Sequence, residues 1–135
     1  NFPLPVISIV EETIKELKRL HFKKALIFGT ELTLRSGLYE KALTANGLKA
    51  VIPSNAEISL LGKLIYPNLE NGIVIPSDKE KMIALANKYI AKENVDALIL
   101  GCTELPLAIK SEDVNVPIVN TTQVHINAIY QYAIQ

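Results

Sequence analysis

Cysteine is almost missing from this 135-residue chain. Cys102 is the only one, which excludes an intrachain disulfide framework, a cysteine-rich zinc site and a Cys-x-x-Cys redox pair. Histidine is nearly as scarce, and His21 and His125 lie too far apart to read as a local pair of metal ligands. An excess of either charge is lacking as well: 14 basic side chains stand against 14 acidic ones, with no block of like sign. Nothing therefore supplies the sustained positive field that a nucleic acid or an anionic membrane surface requires, and neither is expected as a partner. No apolar run approaches the roughly 20 residues of a membrane-spanning helix, and no charged-then-apolar leader is visible, so a cytoplasmic location is expected. There is no Gly-x-Gly-x-x-Gly or Walker pattern to cradle a nucleotide phosphate. Repeats, low-complexity stretches and Gly/Ser linkers are absent too. An initiator methionine is also lacking: the chain opens Asn1-Phe2-Pro3-Leu4-Pro5 and Met82 is its only methionine, which suggests a piece of a longer translation product.

What the chain does contain is 49% apolar residues, enough for one compact domain with a sizeable core. Short apolar runs alternate with stretches of helical period, the signature of βα units that build a parallel sheet. The pattern predicts a strand at 6–10, then a helix with Ile14 and Leu17 on one face. A strand at 25–28 ends at Gly29-Thr30, and a helix over 34–45 closes at Asn46-Gly47. A strand at 49–52 leads through Pro53-Ser54-Asn55 into a helix carrying Ile58, Leu61 and Ile65 on one side, stopped by Pro67. Ser77-Asp78-Lys79-Glu80 reads as a capping box for a helix whose apolar face is Met82, Ile83, Ala86 and Ile90. Strands at 97–100 and 116–119 and a closing helix at 124–134 complete the reading. The fold class is α/β, Rossmann-like or flavodoxin-like in three layers, around a mainly parallel four-stranded sheet.

In open α/β sheets the ligand lies beyond the carboxyl ends of the strands. The residues expected there are Thr30, Ser54, Cys102, Thr103, Glu104 and the run Asn120-Thr121-Thr122. Gly29-Thr30-Glu31-Leu32-Thr33 puts two hydroxyls and free backbone amides at a helix start, which suits one carboxylate, although a threonine there also serves as a plain helix cap. The lone thiol is either a small core residue or a proton-handling group. Its polar neighbours Thr103 and Glu104 favour the second.

These residues carry a resemblance. Gly101-Cys102-Thr103-Glu104-Leu105-Pro106-Leu107, with Gly29-Thr30, Thr33 and Ser36-Gly37-Leu38-Tyr39 upstream and the stretch from Val116-Pro117 to His125 downstream, looks like the cofactor-independent aspartate/glutamate racemase family. The likeness covers essentially the whole chain and is closer to the aspartate branch, since the glutamate branch usually has His where Glu104 stands. It implies a two-base mechanism without pyridoxal phosphate, in which two cysteines face opposite sides of the substrate α-carbon, one removing a proton and the other returning one. A single base could only return the proton to the face it left, so racemisation needs both.

By the same resemblance Cys102 matches the second cysteine of the pair. Thr30 and Thr33 would hold the substrate carboxylate, Thr103 would contact the substrate, and Glu104 would meet its ammonium unless helix amides offset its charge. The first cysteine has no counterpart here. The chain thus resembles the C-terminal part of a racemase of about twice its size: 1–22 a lead-in strand and helix, 23–117 the second lobe, and 118–135 a strand and helix returning to a missing first lobe. Alone it is expected not to racemise. No cofactor or metal is expected; the partners expected are a small amino acid such as aspartate or a similar dicarboxylate, and a second copy, because the stripe Ile126, Ile129, Tyr130 and Ala133 would be left uncovered. One departure is Asn120-Thr121 where the family commonly reads Asp-Thr. His125 is expected to pack at the start of the last helix, and His21 to lie in a loop. A catalytically silent amino-acid-binding domain, or a decarboxylase or isomerase of malonate- or maleate-like diacids, would use the same scaffold.

Overall fold

The structure, a computed structural model, describes residues 8–134. Four strands, β1 (Lys24–Phe28), β2 (Lys49–Val51), β3 (Ala97–Leu100) and β4 (Ile118–Asn120), form one all-parallel sheet in the order β2-β1-β3-β4. β1 and β3 are central, and their side chains from Ala25 to Phe28 and from Ala97 to Leu100 are at most 1% exposed. Strands buried on both faces need no polar alternation, which is why both read as unbroken apolar runs. The opposite end of the pair is locked by Asp96, whose carboxylate accepts from the amides of Lys23 and Lys24 at 2.8 and 3.1 Å.

Seven α-helices surround the sheet among the described residues: α1 (Ile9–Arg19), α2 (Glu31–Ser36), α3 (Leu38–Ala45), α4 (Asn55–Ile65), α5 (Pro76–Glu93), α6 (Leu105–Ala108) and α7 (Thr121–Ala133). α1 packs on α3 and α7; α2 packs on α3 and α4, and α4 on α5. No described helix is long and apolar enough to cross a membrane.

Several boundaries differ from the sequence reading. Residues 6 and 7 lie outside the described segment, and of the rest of the strand expected at 6–10, Ser8 is the cap of α1 while Ile9 and Val10 belong to the helix. Ser8 caps that helix by accepting the Glu11 amide at 3.3 Å, and Val10, Thr13, Ile14 and Leu17 recur on its buried face. The β-branched run was overruled by this helical spacing and by packing on α3 and α7. The helix expected at 34–45 is two helices, because Gly37 takes φ +70° and both ends α2 and starts α3. α5 begins one residue earlier than its supposed cap: Pro76 occupies the first turn after Ile75, so Ser77 lies inside the helix and makes no cap hydrogen bond there. β4 and α7 are shifted to Ile118–Asn120 and Thr121–Ala133, since the side chain of Asn120 caps α7 by accepting the Gln123 amide at 3.1 Å. Along α7, Ile126, Ile129 and Tyr130 stand 53%, 46% and 61% exposed, an apolar row open to solvent as expected.

A polar staple holds α4 to α5. Ser54 caps α4, its amide donates to the Tyr89 hydroxyl at 2.9 Å, Tyr89 donates to the Glu57 carboxylate, and Lys88 pairs with the same carboxylate at 2.6 Å. Lys88 first, then Tyr89, draw the Glu57 carboxyl down to about 2. Because the folded state lowers this value below the ordinary 4.5, the staple stabilises the protein above that pH and its contribution is lost as pH falls towards 2. Tyr89→Phe is expected to cost about 1–2 kcal/mol in urea unfolding at neutral pH and to flatten the acid dependence. An unchanged midpoint at both pH values would refute the staple.

Candidate active site

The chain runs from β1 outward to β2, then crosses back to β3 and on to β4, so the winding reverses between β1 and β3. Such a reversal leaves a crevice at the carboxyl ends of the two strands. Phe28 and Leu100 are register partners there, and the Gly101 amide donates to the Phe28 carbonyl at 2.8 Å. Thr30 and Cys102 each follow two residues later, on either side of the crevice. Gly101 relieves crowding: a Cβ would lie 3.3 Å from the Phe28 carbonyl oxygen and 3.4 Å from the Tyr39 ring, and both would have to give way slightly.

On the β1 side, Thr30 is the N-cap of α2. Its hydroxyl accepts the Thr33 amide at 3.2 Å and donates to the Thr33 hydroxyl at 3.0 Å. Both side chains are half-buried. The plain cap is present: one of the amides expected to be free is already occupied, while the Thr33 hydroxyl, an acceptor from Thr30, keeps its own proton to donate. A cleft of about 730 Å³ opens beside Thr30, with Glu31, Leu32, Lys63, Tyr66 and Glu70 on its walls.

On the β3 side, Cys102 is a free, buried cysteine. Its Sγ donates to Glu104 Oε2 at 3.8 Å, and the Thr103 hydroxyl donates to the same oxygen. Burial pushes the thiol above its ordinary value; the amides of Glu104 and Leu105 pull it down, and the carboxylates of Glu104 and Glu70 push it up again. Helix amides do offset the adjacent Glu104 charge, but burial dominates, so the group rests as a neutral thiol near pH 7.

Cys102, Thr103 and Glu104 thus form one cluster, Thr30 and Thr33 a second, and the two are tied through backbone by Gly101 and Phe28. Ser54 stands at the end of the edge strand β2 and caps α4. Asn120 is engaged as the cap of α7, and Thr121 is 1% exposed with its hydroxyl donating to the Leu100 carbonyl at 3.0 Å, so it supports the strand from inside. His125 is half-buried on α7, and His21 occupies a left-handed turn before β1, at the sheet edge opposite the crevice. Among the described residues no three His, Cys, Asp or Glu side chains gather as a metal site.

Two contributors escaped the sequence reading. Glu70, in the 3₁₀ turn Leu69–Asn71 that packs on α6, acts on Cys102 from 32 positions upstream. Tyr39 lies beneath Gly101. Tyr39 enters that reading only as part of the family motif and Glu70 not at all; neither contact carries a local signal, since each arises through tertiary packing.

The profile of the Asp/Glu/Hydantoin racemase family matches residues 1–129. A glutamate racemase of Aquifex aeolicus is 34% identical over 108 residues, covering 79% of this chain and 39% of that protein. The broad specificity amino-acid racemase of Bacillus subtilis is 31% identical over 121 residues, covering 88% of this chain and 50% of its own length. In structure, an aspartate racemase homologue from Pyrococcus horikoshii superposes with a TM-score of 0.89 at 33% identity, over 98% of this chain and 57% of the other. The chain therefore spans about half the length of these relatives, or less.

Proposed function

The chain belongs to the Asp/Glu/Hydantoin racemase family, and we propose that it supplies one side of the active site of an amino-acid racemase that works without pyridoxal phosphate. Cys102 is the acid/base group for one face of the substrate α-carbon. Thr30 and Thr33 receive the α-carboxylate, Thr103 contacts the substrate, and Glu104 meets its ammonium. The observation that carries this reading is the placement of the Thr30/Thr33 pair and the Cys102/Thr103/Glu104 cluster on the two lips of the β1/β3 crevice.

The electrostatics suit a definite half of the reaction. A thiol held neutral by burial and by two carboxylates can give its proton to an α-carbanion but is a poor resting base. Removal of the α-proton from the opposite face then falls to a second thiolate, while Cys102 forms the new C–H bond and is left as thiolate. In the reverse direction the roles exchange, and a substrate ammonium placed against Glu104 removes part of the charge that disfavours the Cys102 thiolate. Cys102 is the only cysteine here, so the second thiol belongs to the part of the relatives that this chain does not span. We assign residues 23–117 to one lobe of such an enzyme, with 1–22 leading in and 118–135 returning to the other lobe. The substrate class is a small amino acid, aspartate or a similar dicarboxylate.

The open apolar row Ile126, Ile129 and Tyr130 on α7 supports self-association of the chain. Sedimentation velocity should show a concentration-dependent dimer that Ile129→Glu converts to monomer; a strict monomer at every concentration would contradict it. For the chemistry, the chain alone incubated with L-aspartate is expected to yield no D-aspartate by chiral chromatography. Turnover comparable with that of a full-length relative would overturn the two-thiol reading.

A further inference from the structure

Thr13 and Thr121 are the buried polar residues of the described core, at 0% and 1% exposure, and they come from different helices. Tyr39 of α3, itself 4% exposed, brings its hydroxyl up to both threonines. The outer ends of this row are fixed to backbone: the Thr13 hydroxyl donates to the Ile9 carbonyl at 2.7 Å, and the Thr121 hydroxyl donates to the Leu100 carbonyl at 3.0 Å. Each threonine has thereby spent its only hydroxyl proton, so the single Tyr39 proton closes the row by donating to one of them at a time. Among the described residues no buried side-chain nitrogen or oxygen is left without a partner.

Three hydroxyls in a core otherwise built from Leu, Ile, Val and Phe are costly unless fully satisfied, and fully satisfied they fix one geometry. The fixed geometry here is the exit of β3. Thr121 holds the Leu100 carbonyl from one side, and the Tyr39 ring lies against Gly101, close enough that a Cβ there would be 3.4 Å away. The Gly101 amide is held in turn by Phe28. The Leu100–Gly101 peptide unit is thus clamped at both its carbonyl and its amide, one residue before Cys102. Arg, Lys and carboxylate side chains take no part in the clamp.

We propose that the Thr13–Tyr39–Thr121 row is a positioning device for Cys102, in which Tyr39 sets the height and burial of the thiol by fixing the Leu100-Gly101 backbone. It rests on the acid/base role assigned to Cys102 above for its purpose, though not for its physical content. Tyr39 touches no substrate; it acts through Gly101. Losing its hydroxyl frees the β3 exit, admits water to the thiol and brings the thiol back towards its ordinary titration.

Because Cys102 is the only cysteine, its alkylation by iodoacetamide reads this position alone. Tyr39→Phe keeps the ring on Gly101 and removes one hydroxyl; Thr121→Val keeps the volume and removes the other anchor. Each is expected to move the pH–rate profile of alkylation downward and to raise the rate at about pH 8 by about threefold or more, which corresponds to about half a pKa unit. Thr121→Ser should restore the wild-type profile, and Tyr89→Phe, which loses a hydroxyl in the distant α4–α5 staple, should leave it unchanged. Folded Tyr39→Phe and Thr121→Val proteins with the wild-type profile would overturn the proposal, as would a Tyr89→Phe profile that moves with theirs. Should Tyr39→Phe fail to fold, the contrast between Thr121→Val and Thr121→Ser decides the question. Alkylation reports the thiol whatever it does to a substrate, so failure of the racemase reading leaves this result standing, and a flat Tyr39→Phe profile leaves that reading untouched.

Discussion

The pairing of β1 with β3 is the constraint on which the rest depends. Four register pairs, from Ala25 with Ala97 to Phe28 with Leu100, put two chain segments separated by more than 70 residues side by side. Every one of those eight side chains is buried, so slipping the register would break ladder hydrogen bonds and expose apolar surface together. The pairing is locked at one end by Asp96 on the Lys23 and Lys24 amides and at the other by the Gly101 amide on the Phe28 carbonyl. The second lock lies one residue before the thiol. Cys102 and Thr30, each two residues past the last register pair, are therefore placed by the central strand pair, not by a loop that has to find its own position.

Chemistry at that edge is shaped by what the fold does to one thiol. Burial alone would leave an inert core cysteine. Glu104, Thr103 and the first amides of α6 turn the site into a balance of opposing influences, in which carboxylates hold the proton on sulfur and amides ease its departure. Such a balance can be tipped by a ligand charge, and an amino-acid ammonium is of the right sign to tip it. The threonine pair across the crevice is uncharged, so it adds no charge of its own to this balance.

Legibility in the sequence followed locality. The strands at 25–28 and 97–100 were readable because burial on both faces demands continuous apolar runs, and Cys102 could be placed at a strand end for the same reason. Thr30 was readable as both a cap and a site residue, and in the structure it caps α2. What failed depended on context. Ile9 and Val10 are β-branched and read as strand, yet the Ser8 cap and the spacing of Val10, Ile14 and Leu17 make them helix once α3 and α7 are there to cover that face. Gly37 divided a helix that the periodicity ran through, and Pro76 pre-empted Ser77 as the helix start. The roles of Glu70, Tyr39, Thr13 and Thr121 were invisible because each is defined by partners far along the chain.

The central claim is that the two clusters on the β1/β3 crevice form one ligand site. Titration of the ¹⁵N-labelled chain with L-aspartate, followed by amide chemical shifts, tests it directly and tolerates weak binding. The account predicts that the amides of 29–33 and 101–105 shift together along one saturable curve, with those of His21 and of the last two turns of α7 unmoved. Shifts confined to one strand end, or none at either, would contradict it.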